Sequence, residues 1–134
     1  MISVALNLLL VGAVVFFIAG PPLKLLHELG HALPLALAGK SAEIQLGKPD
    51  LRARPTFSFA KVEARIRRPL GFGGEIFYEE PEHGFSQEGK LLIALGGPAV
   101  SALAALAFGL FAYLLPDSLL SVLLGAFSVG AFLQ

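Results

Sequence analysis

Charge is segregated along this chain more sharply than any single motif, and that segregation limits what it can fold into. Of its ten basic and ten acidic side chains, all but Lys24, Glu28 and Asp117 lie between residues 40 and 90. The chain therefore reads as apolar, polar, apolar. With 55% hydrophobic and 15% charged residues and a mean hydropathy of +0.74, it departs from soluble domains, which are about 25% charged, and reads as a membrane protein. Formal net charge is zero, so no basic excess points to nucleic acid as a partner. There is no cysteine, hence no disulfide framework and no thiolate site. A metal bound here would have to use His, Asp, Glu or water.

The apolar parts divide into four expected transmembrane helices. Residues 1–20 carry no charge and are long enough, at about 1.5 Å per residue, to cross a core of about 30 Å. The lack of a basic leader favours a spanning helix over a cleaved signal peptide. Pro21 and Pro22 suit the start of a second helix, because its first turn has no use for their missing N–H groups; Gly39 and Lys40 suit its end. Residues 91–115 form a third. Pro116-Asp117-Ser118 turns into a fourth, which reaches Gln134 without a basic cap or polar tail, so the chain is expected to continue beyond that residue. The fold class expected is an α-helical integral membrane protein, one domain over residues 1–134, with a small antiparallel β insertion between the second and third helices.

Within that insertion, residues 40–90, the apolar period changes from helical to strand-like. Ile44 and Leu46 alternate, as do Phe57 and Phe59, then Val62, Ala64 and Ile66. The phase slips between Phe59 and Val62, which predicts a bulge or strand break. Glycines 71, 73 and 74 precede a further short apolar stretch, giving two or three strands. Nine lysines and arginines in this segment place it on the cytoplasmic side of a membrane. Its strands serve either as plain structure or, at an exposed edge, as a place where an extended peptide adds as a further strand.

The segment LLHELGHALPLALAGK, residues 25–40, carries the chemistry. His27 and His31 stand one helical turn apart on one face, close enough for both imidazoles to hold one metal ion. Glu28 is placed to take a proton from water that zinc has made acidic. Three ionisable groups in an apolar helix are costly without a purpose. Lys24 shares the face, and its long stem would let it snorkel to the membrane interface. The glycines and alanines of GGPAVSALAALAF form a small-residue surface on which two membrane helices can approach closely.

These residues resemble the site-2 protease family of intramembrane zinc metalloproteases, in particular its small bacterial members. HELGHALPLALAGK is similar to the family's zinc helix, and GKLLIALGGPAVSALAALAF to the segment in which a Gly-Pro motif, here Gly97 and Pro98, opens the next core helix. The resemblance implies zinc as cofactor, His27 and His31 as ligands and Glu28 as the catalytic base. It also implies a membrane-embedded protein substrate in the lipid bilayer of the bacterial inner membrane, with the central loop cytoplasmic. Two departures stand out. Ser101 occupies the position where many members carry Asn, and the family's third ligand, an Asp followed by Gly, has no counterpart. Asp50, His83 and Asp117 are poorly placed on the expected topology, so the third ligand is expected past Gln134. Two other readings use the same residues: a noncatalytic membrane relative serving as a partner-binding module, and a membrane metal-binding or transport protein. The first would be expected to lose Glu28 or a histidine, and the second to spread ligands over several helices.

Overall fold

The computed structural model describes residues 10, 12–13, 17–18, 20–47, 55–67, 74–115 and 119–133. Helix α1 (Gly20–Leu37) leads into strand β1 (Ala42–Leu46), and β2 (Phe57–Phe59), β3 (Val62–Ile66) and β4 (Gly74–Tyr78) follow. Helices α2 (Gln87–Leu114) and α3 (Leu119–Phe132) complete the described chain.

Two local signals set the ends of the helices. Gly39 adopts φ +72°, a left-handed conformation that costs glycine little. It closes α1 in a Schellman arrangement, with Gly39 N–H donating to Ala36 O at 3.0 Å and Lys40 N–H to Leu35 O at 2.9 Å. Ser86 caps α2, its hydroxyl accepting from Gly89 N–H at 3.1 Å.

The four-crossing architecture does not hold. Among the described residues there are three helices, and α2 alone is long and apolar enough to cross a membrane. Lys24, His27, Glu28 and His31 dilute the apolar character of α1. The 14 residues of α3 rise only about 21 Å, short of a hydrocarbon core of about 30 Å. Most of the expected first span, residues 1–20, lies outside the described residues.

Nor is the insertion antiparallel throughout. It is one mixed sheet of four strands in the order β2-β3-β1-β4. The expected phase slip is a two-residue turn, with Phe59 opposite Val62 and Ala60 at φ +52°. This turn makes β2 and β3 antiparallel, and β3 then runs parallel to β1, setting Ala42, Ile44 and Leu46 beside Val62, Ala64 and Ile66. β1 takes the interior of the sheet because its whole apolar row is buried, while β4 pairs antiparallel along its other edge. The shared apolar face lies on α1, where Leu35 and Ile44 are fully buried in a cluster that includes Ala32, Val62 and Ile93. The opposite face is polar: Arg65 Nε reaches Glu43 at 2.9 Å, and Gln45 donates to the same carboxylate at 2.6 Å. α1 is thus held between the sheet and α2, and that placement builds the site.

Candidate functional site

His27, Glu28 and His31 project from the buried middle of α1, with His27 8% and Glu28 4% exposed. Burial of this kind is tolerated only if polar atoms find partners, and α2 supplies them. The Nδ1 of His27 lies 2.8 Å from Ser101 Oγ, and the Nδ1 of His31 lies 2.6 Å from the carbonyl oxygen of Ile93. A carbonyl only accepts, so His31 Nδ1 carries the proton and its Nε2 presents a lone pair. Gly97 N–H also approaches that Nδ1, at 3.3 Å; the shorter bond to Ile93 decides the tautomer.

Pinned at Nδ1 from the same side, the two rings turn their Nε2 atoms toward one another, 3.2 Å apart, with ring centroids at 4.9 Å. Two nitrogens held tetrahedrally by one zinc at about 2.0–2.1 Å would lie about 3.3–3.4 Å apart. The pair therefore fits two positions of a zinc ion. Both also have the outer partner that metal-binding imidazoles require for orientation.

Glycine makes the approach possible. Ile93, Gly97 and Ser101 are spaced by four along α2 and form one stripe facing the histidines. A Cβ on Gly97 would sit inside the van der Waals envelope of the His31 ring, and one on Gly30 or Gly96 would collide with the other helix's backbone. Pro98 contributes no N–H to the ladder, which loosens α2 beside the turn where Ile93 meets His31.

Gly97, Pro98 and Ser101 thus lie on the helix segment that faces the histidine pair, and Pro98 stands inside α2 where the resemblance has a Gly-Pro motif open the helix. Ser101 does more than fill space, since its hydroxyl is the partner of His27. The role of Ile93 has no sequence signal, because any residue presents a carbonyl. Lys24, expected to reach outward, instead pairs with Glu28, Nζ to Oε1 at 2.8 Å. His83 lines a separate cleft with Gly39, Lys40 and Glu79–Glu82. Asp50 and Asp117 lie outside the described residues. Among those described, no group of three or more His, Asp or Glu side chains comes together as a metal site, so the histidine pair stands without a third protein ligand there.

No known family profile matches the chain, and neither a curated protein nor a solved structure matches it.

Proposed function

We propose that this protein is a zinc metalloprotease that hydrolyses peptide bonds of membrane-embedded polypeptides. His27 and His31 hold the metal through Nε2, and Glu28 is the catalytic base. The observation that carries this reading is the 3.2 Å convergence of two Nε2 atoms whose Nδ1 atoms are both occupied by α2.

When bound, zinc supplies Lewis acidity, making water a nucleophile near neutral pH and polarising the scissile carbonyl. Glu28 Oε1 is held by Lys24, so Oε2 takes the proton from the attacking water and later gives it to the departing amine. Ser101 and Ile93 keep the imidazoles oriented through the cycle. The tight seam between α1 and α2 keeps bulk water away from the pair.

The membrane setting is supported by α2, whose Leu91, Leu95, Leu103, Leu106 and Leu110 are all exposed. A patch this large needs cover, and lipid suits a helix that carries no charge after Lys90. The basic residues of the sheet segment favour the cytoplasmic side of a bacterial inner membrane.

The test uses the protein in detergent with a panel of single-span membrane polypeptides. Glu28→Gln should retain zinc at the parent stoichiometry while cleavage falls by about two to four orders of magnitude. His27→Ala and His31→Ala should each lose zinc as well. Cleavage that persists in Glu28→Gln, or a parent protein that binds no zinc, defeats the reading.

A further inference from the structure

Lys24, His27, Glu28 and His31 stand at i, i+3, i+4 and i+7 of α1, so an ammonium group shares the stripe that carries the proposed ligands and base. Its ion pair with Glu28, at 2.8 Å, is well covered, with the Lys24 side chain 18% and the Glu28 side chain 5% exposed. Helix stability does not explain it. The order is Lys before Glu, the weaker arrangement for an i,i+4 pair. β4 closes over the pair from the sheet: a Cβ on Gly74 would lie 2.9 Å from Lys24 Cε and 3.1 Å from Glu28 Cγ.

A carboxylate beside two convergent imidazoles has two possible uses. Two histidines and a glutamate are a common zinc ligand set, and no third ligating group joins His27 and His31 among the described residues. Drawn in as a ligand, Glu28 would no longer be free to accept a proton. We propose that Lys24 is a positioning residue that reserves Glu28 for proton transfer by holding its carboxylate off the metal position. The inference rests on the metalloprotease reading. It gives Lys24 an effect that simple packing would not have: by holding the Glu28 carboxylate it weakens metal binding while preserving turnover.

Cobalt(II) titration of the detergent-solubilised protein, followed by its visible absorption, tests this directly. Lys24→Met should bind cobalt about tenfold more tightly than the parent, because the Glu28 carboxylate is released to join the ligand set. Its absorption bands should shift as the ligand set changes, while cleavage slows. Adding Glu28→Gln should cancel both the tighter binding and the shift, and Lys24→Arg should restore parental affinity. Lys24→Gln, of similar reach but uncharged, serves the same purpose if the methionine variant does not purify as a single species. Unchanged or weaker cobalt binding in the neutral variants, or a gain that survives Glu28→Gln, overturns the role of Lys24. A parent protein that binds neither cobalt nor zinc overturns the metalloprotease reading itself, a separately readable result.

Discussion

Both helix junctions use small residues, yet they put the close approach to different ends. Between α1 and α2, Gly30 and Gly96 bring the backbones together, and Gly97 leaves room for an imidazole. The bonds across this seam run from histidine rings to Ser101 and to the Ile93 carbonyl. Between α2 and α3 the bonds are hydroxyl to carbonyl: Ser121 donates to Ala112 O at 2.9 Å and Ser128 to Ala105 O at 2.7 Å. These two bonds are seven residues apart on each helix, so they recur at one heptad of an antiparallel pair. Phe108 and Phe127 pack beside them with ring centroids 5.4 Å apart. Such bonds satisfy hydroxyls in an apolar setting and hold helices in register. The first junction also uses its polar contacts to aim two ring nitrogens at one another. Close helix packing is thus not a mark of function, but packing that orients titratable groups is.

The largest expected contrast comes from adding one methyl group to each junction. Gly97→Ala drives a Cβ into the His31 ring, so zinc affinity should fall by at least about 100-fold, since a metal-binding geometry tolerates little displacement. Gly109→Ala puts its Cβ 3.1 Å from Ser128 Oγ, a small group that can rotate away. Stability should then change by about 1 kcal/mol or less, with zinc affinity unchanged. Isothermal titration and thermal unfolding in detergent on both variants measure the contrast, and equal zinc loss in the two would erase it.

A smaller effect sharpens the role of the bonds. Ser101→Ala removes the outer partner of His27 and should lower zinc affinity about 10- to 100-fold, with Ser101→Thr, which keeps the hydroxyl, recovering most of it. If the alanine variant binds as tightly as the parent, the serine only fills space. Smallest of all should be Ser128→Ala at the second junction. Loss of one interhelical bond of this kind costs about 0.6 kcal/mol on average, visible as a slight fall in unfolding midpoint and invisible to zinc titration. A zinc defect there would mean that the two junctions are coupled through α2.

Much of the local structure was legible from periodicity and end signals. Gly39 signals the end of α1 in the sequence and closes it in the structure, and the apolar alternations at Ile44–Leu46, Phe57–Phe59 and Val62–Ile66 fall on strands. The slip between Phe59 and Val62 became a turn, since Ala60 takes a positive φ that alternation does not reveal. Other expectations failed for lack of non-local information. The antiparallel insertion gave way to a mixed sheet because strand pairing depends on which apolar row is buried most deeply, here that of β1. Four spans follow from a count of apolar stretches, and that count passes over the polar stripe that dilutes α1.

The sequence by itself determined the helical stripe Lys24, His27, Glu28 and His31, because residues three and four apart must share a helix face whatever surrounds them. It also determined where charge is concentrated and where strands alternate, which are equally local properties. Tertiary structure alone decided what those side chains meet. Ser101 lies 74 residues from His27, and Ile93 lies 62 residues from His31. Neither pairing follows from spacing, because each depends on α2 packing across Gly30 and on a glycine, not an alanine, at position 97. The same packing, with β4 closing from the other side, turned Lys24 inward onto Glu28. A long flexible side chain can lie along several directions with little intrinsic preference, and the partner that covers it chooses among them.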